Sequence, residues 1–123
     1  MPKTPQILIV EDNPADVVLI REALFASCHV CDFVFVEDYE AAKTRMESQV
    51  FHFVISDMGS DQKAIEEFVS RIRSDERHGF TPIIMFSGYP DPIPAYSAGA
   101  NAFVAKGNGI DDLFRKIASI LDF

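Results

Sequence analysis

The sequence predicts an α/β domain, a doubly wound (βα)5 three-layer sandwich around a five-stranded parallel sheet. Three observations lead there. Short apolar runs alternate with helix-patterned stretches along all 123 residues. The runs are near-continuously apolar, as strands covered on both faces are, for example Phe51-His52-Phe53-Val54-Ile55-Ser56. Most of them end abruptly in a residue with chemical capacity, at the carboxyl edge where open α/β sheets hold their ligands.

Taken in order, Gln6-Ile7-Leu8-Ile9-Val10 reads as the first strand, with Glu11 and Asp12 directly after it. Asn13 as N-cap, Pro14 in the first helical position and Asp16 in the first turn open a helix to about Ser27. Its inner face is Val17, Ile20, Ala23 and Leu24. Phe33-Val34-Phe35-Val36 is the second strand, and Asp38 caps a helix through about Glu47 with Ala41, Ala42 and Met46 inward. The third strand begins at Phe51 and ends in Asp57; Met58 to Asp61 is a loop. Ile65, Phe68, Val69 and Ile72 fall at i, i+3, i+4 and i+7 and mark an amphipathic helix.

His78 to Pro82 breaks that helix, and Ile83-Ile84-Met85-Phe86 is a fourth strand followed by Ser87. Pro90, Pro92 and Pro94 forbid a helix across them, so the fourth helix is shortened and fits only between about Pro94 and Gly99. Ala102-Phe103-Val104-Ala105 is the fifth strand, followed by Lys106. The last helix carries Ile110, Leu113, Phe114, Ile117 and Leu121 on one face, with Asp111 and Asp112 at its start. For the strand order we take the flavodoxin-like 2-1-3-4-5, one of the two common doubly wound orders; the residues alone do not select it.

Composition narrows the function. The length suits one domain over residues 1–123 with no output domain, and 48% hydrophobic residues supply a core. No apolar run reaches the roughly 20 residues of a membrane span, and the first five residues lack a signal-peptide pattern, so a cytoplasmic protein is expected. The charge of −8 speaks against nucleic acid and suits a divalent cation or a basic protein patch. Cys28-His29-Val30-Cys31 follows a helix rather than opening one, and neither His52 nor His78 has zinc-ligand spacing to it. Both cysteines are read as ordinary core or loop residues.

Glu11, Asp12, Asp57, Ser87 and Lys106 all follow strands, so a parallel sheet puts them on one edge, and strands about 4.8 Å apart let them converge. Three gathered carboxylates repel one another, which a hard divalent cation relieves. Mg²⁺, or Mn²⁺ in its place, suits Asp12, Asp57 and the Gly59 carbonyl, with Glu11 direct or through water. Asp57 can then serve as the nucleophile for a phosphoryl group, Lys106 as a point charge and Ser87 as a hydroxyl donor.

On these residues the chain resembles the response regulator receiver (CheY-like) family, the phospho-accepting half of two-component signalling. The stretch Ile7-Leu8-Ile9-Val10-Glu11-Asp12-Asn13-Pro14-Ala15-Asp16 is especially similar to stand-alone receivers, including those serving bacterial phytochrome kinases. The resemblance implies Asp57 as phospho-acceptor, Ser87 and Phe103 as switch residues, and Lys106 beside the phosphoryl group. It implies a sensor histidine kinase or phosphotransfer protein as donor and signalling through protein contacts with a downstream target, and it leaves room for a homodimer. It does not imply a turnover enzyme, although self-catalysed phosphoryl transfer and hydrolysis are compatible with it.

The chain departs from the family at three places. Gly107 stands where the family has Pro joined to the lysine by a cis peptide; a non-Pro cis bond costs about 2.5–4 kcal/mol, so the loop is either trans or strained. Asp61 and Ile65 replace the usual Pro and Gly after the acceptor, and Asp61 adds negative charge near the pocket. The prolines shorten the helix after Ser87, which puts any response to phosphorylation in the Tyr89–Ala98 stretch. The competing reading is a non-phosphorylated receiver-like scaffold or dimerisation module. An aspartyl-phosphate phosphatase would need Asp at position 59, which is Gly. A flavin site would need a Gly/Ser/Thr-rich loop after the first strand.

Overall fold

The structure, a computed structural model, describes residues 4–27, 31–57, 61–88 and 91–121. The strands are β1 (Gln6–Val10), β2 (Asp32–Val36), β3 (Phe53–Asp57), β4 (Ile83–Ser87) and β5 (Ala102–Ala105). Between and after them come α1 (Pro14–Ser27), α2 (Tyr39–Ser48), α3 (Gln62–Ser74), α4 (Ile93–Ala98) and α5 (Ile110–Leu121), with a 3₁₀ turn at Lys106–Asn108. All pairings are parallel and the order is β2-β1-β3-β4-β5. This is the CheY-like flavodoxin fold, as expected.

Period-two alternation along each strand builds two cores. Leu8, Val10, Val54, Ile83 and Met85 face the helices α2, α3 and α4. Ile7, Ile9, Phe53, Ile55, Ile84, Phe86 and Val104 face α1 and α5. The central strands are buried on both sides, which is why they read as unbroken apolar runs.

The local signals act as expected at most element ends. Asn13 Oδ1 accepts from the Ala15 and Asp16 amides at 2.9 and 3.4 Å and starts α1. Asp38 caps α2 through the Ala41 amide. Ile65, Phe68, Val69 and Ile72 form the buried face of α3. Gly99 closes α4 at φ 109°, a left-handed position that glycine adopts without strain.

Four details differ from the sequence reading. Phe51 and His52 precede β3 rather than opening it; Phe51 instead gives its amide to the buried His78. On α5, Leu113 and Ile117 are buried but Phe114 is 36% exposed, and Ile120 packs inward in its place. Asp61 caps α3 through the Ala64 amide at 3.2 Å, so its charge also serves a helix start. Cys31 is disulfide-bonded and so is no ordinary core thiol, whereas Cys28 lies outside the described residues. No peptide bond among the described residues is cis, and Lys106–Gly107 is trans.

Candidate phosphoryl-acceptor site

Two strand ends bring the three acids together. Glu11 leaves β1 with its amide bonded to the Val36 carbonyl of β2 at 2.9 Å, which fixes it inward at 3% exposure. Asp12 follows, exposed. Asp57 is the last residue of β3, half-buried. One carboxylate oxygen from each of the three lies within 4.8 Å of the others. The Gly59 carbonyl expected beside them lies outside the described residues.

Lys106, at the end of β5, reaches this group. Its Nζ lies 3.4 Å from Asp57 Oδ1 and 3.3 Å from Glu11 Oε1. Its shortest contact is a 2.6 Å hydrogen bond donated to Asp16 Oδ2 from the first turn of α1. The ammonium also sits 5.5 Å from the centre of the Phe86 ring. Ser87 ends β4, opposite Ala105 in the sheet and 1% exposed. Phe103 is half-buried on β5 and packs on the core that faces α2, α3 and α4.

Two residues join the site that the sequence did not single out for it. Asp16 reads in sequence only as a helix-start acid. Tyr39, the first residue of α2, donates its hydroxyl to the Asp57 carbonyl at 3.2 Å, accepts from Ser56 Oγ at 3.4 Å and stacks on Phe68. Its place directly after the capping Asp38 puts it at the same sheet edge, a signal that inner-face periodicity does not carry.

The electrostatics show strain between like charges. Burial, followed by the Asp57 carboxylate, raises the Glu11 pKa from 4.5 to about 7 despite Lys106. Burial would lower the Lys106 pKa, but the Asp16 hydrogen bond and the charges of Asp57 and Glu11 outweigh it and leave it raised. Burial also raises the Tyr39 pKa, reinforced by Asp57 and Asp61. Among the described residues, Glu11 Oε1 is the buried side-chain oxygen with no assigned hydrogen bond, and it meets Lys106 Nζ as an ion pair at 3.3 Å. A buried, unbonded carboxylate oxygen beside two further carboxylates fits the donor set of a hard divalent cation. By contrast, a cavity of about 350 Å³ between α2 and α3, lined by Met46, Phe68 and Ile72 among others, gathers none of these groups.

The sheet order and the acids gathered at its carboxyl edge agree with the sequence comparison. The chain belongs to the response regulator receiver domain family, whose sequence model matches residues 7–118. It is similar to the response regulator Rcp1 of Synechocystis, at 24% identity over 127 residues covering 95% of this chain and 86% of that protein. A response regulator from Hahella chejuensis is 28% identical with a TM-score of 0.79, covering 95% of this chain and 92% of that one. Two solved structures share the fold at lower identity. One is the phosphorylated cyanobacterial phytochrome response regulator RcpA, at 24% identity and TM-score 0.78, covering 98% of this chain and 94% of that one. The other is the Mn²⁺-bound form of Rcp1, at 22% and 0.75, covering 97% and 93%. No helix among the described residues is long and apolar enough to cross a membrane.

Proposed function

We propose that this receiver accepts a phosphoryl group on Asp57 from a sensor histidine kinase or phosphotransfer protein and signals through protein contacts in the cytoplasm. The observation that carries the reading is the convergence of Glu11, Asp12 and Asp57 oxygens within 4.8 Å, with Lys106 3.4 Å from Asp57. The acidic trio would hold Mg²⁺ or Mn²⁺; the solved Rcp1 structure is of a Mn²⁺-bound form. The Gly59 carbonyl would complete that set. The cation supplies charge neutralisation for an incoming phosphoryl group.

This chain's own residues do the rest. An Asp57 oxygen forms the new P–O bond as the donor's bond to phosphorus breaks and its electron pair leaves with the donor. Lys106 offers its ammonium to the charge on the phosphoryl oxygens, and Ser87 offers a hydroxyl hydrogen bond. Tyr39 holds the Asp57 main chain while the carboxylate reacts. Phe103, on β5 beside the strand that ends in Ser87, is the aromatic whose packing would report the event.

Incubation with Mg²⁺ and acetyl phosphate, read by intact mass, tests this. The expected result is one base-labile phosphoryl adduct, absent in Asp57→Asn. An adduct that persists in that variant, or no adduct from any phosphodonor, would exclude Asp57 as acceptor, and the second outcome would favour a scaffold.

A further inference from the structure

We infer that Asp16 is a positioning residue for Lys106: from the first turn of α1 it holds the ammonium over Asp57, a restraint on the side chain that the 3₁₀ turn at the lysine does not supply. The inference rests on the phospho-acceptor reading above. Lys106 is a four-carbon stem at the end of a short strand, and such a stem has many rotamers. The residue after it, Gly107, is exposed, and a Cβ there would meet nothing within 4 Å. Gly109, two residues on, adopts φ 83°, and a Cβ there would likewise meet nothing within 4 Å.

The restraint comes from across the edge. Asp16 is fixed by its place in α1, and its amide bonds to Asn13 Oδ1 at 3.4 Å. Its Oδ2 accepts from Nζ at 2.6 Å, the shortest of the three carboxylate contacts to the lysine. Side-chain exposures of 20% and 15% make this pair more than a solvated surface contact. An ammonium has three donors. One spent on Asp16 leaves two for Glu11 and for Asp57 or its phosphoryl group, so Asp16 shares the lysine rather than removing it.

The test measures the initial rate of adduct formation on Asp57 from acetyl phosphate and Mg²⁺. It compares wild type with Asp16→Ala, Asp16→Asn, Asp16→Glu, Lys106→Gln and the Asp16→Ala/Lys106→Gln double variant. Loss of the restraint is expected to slow the reaction roughly tenfold in Asp16→Ala and Asp16→Asn, with rescue in Asp16→Glu. In the Lys106→Gln background, Asp16→Ala should change the rate by less than about twofold. An equal slowing in both backgrounds would show that Asp16 acts without the lysine, and a rate unchanged or raised in Asp16→Asn would also overturn the inference. Asp16→Asn keeps the side-chain shape, so it serves if Asp16→Ala does not fold.

If wild type itself takes no phosphoryl group, it is the function that fails. The restraint is then read from amide exchange over residues 106–109. That exchange should be faster in Asp16→Asn than in wild type, and equal exchange would overturn it.

Discussion

Glu11 carries the tension of the site in one side chain. Its pKa of about 7, against an ordinary 4.5, means that the folded state binds a proton more tightly than the unfolded state. Its contribution to stability is therefore fully present below about pH 4.5 and lost as pH rises through about 7. The loss is about 3 kcal/mol in the metal-free protein. Urea midpoints should fall between about pH 5 and about pH 8, and Glu11→Gln should flatten the trend. A second residue acts far from the site. His78 is fully buried, and its Nε2 accepts the Phe51 amide at 3.0 Å, which leaves Nδ1 to donate to Asp75 at 3.0 Å. The Arg77 guanidinium, followed by His78, holds the Asp75 carboxyl well below the usual carboxylate range. His78→Ala orphans a buried amide and opens a cavity, so it should cost about 2–4 kcal/mol in denaturant unfolding.

Among the elements, α4 is the one whose length would bear on output under the proposed function. It has six residues, Pro92 at its N-cap and Gly99 at its C-cap, and within it only Ala95 is fully buried. Ile93 and Tyr96 are 67% and 48% exposed. A helix this short draws little stability from its own hydrogen bonds, and few apolar contacts anchor it. Phosphorylation is therefore expected to reshape the stretch from Tyr89 to Ala98 rather than to shift a rigid helix; Tyr89 and Pro90 lie outside the described residues. Amide exchange over 91–98 should change when a phosphoryl mimic is added, and identical exchange with and without it would refute the idea. By contrast, α3 is long, capped by Asp61 and buried along one face, and it should exchange slowly in both states.

At the scale of the molecule, parallel strands β1, β3, β4 and β5 lie side by side, so their carboxyl ends deliver acids, a hydroxyl and a lysine to one edge. The chain's charge of −8 favours cations around the molecule, and the three acids gather at that edge. Binding to the folded state alone stabilises it by mass action, about 2.7 kcal/mol at one hundred times Kd. Thermal unfolding should thus shift upward with added Mg²⁺ or Mn²⁺, and the shift should shrink in Asp12→Asn. An equal shift in that variant would place the cation elsewhere.

The sequence by itself determined the alternation of elements, the caps Asn13 and Asp38, and the identity of the edge residues Glu11, Asp12, Asp57, Ser87 and Lys106. Periodicity and capping are local properties, readable within a few residues of chain. Only the tertiary structure decided that Lys106 bonds to Asp16, 90 residues away, that Tyr39 holds the Asp57 carbonyl and that His78 takes the Phe51 amide. It also turned Phe114 outward on a helix whose pattern points it inward. Such pairings depend on which strands neighbour one another and how each helix is rotated on the sheet. A chain's own period does not encode that; packing between distant segments does.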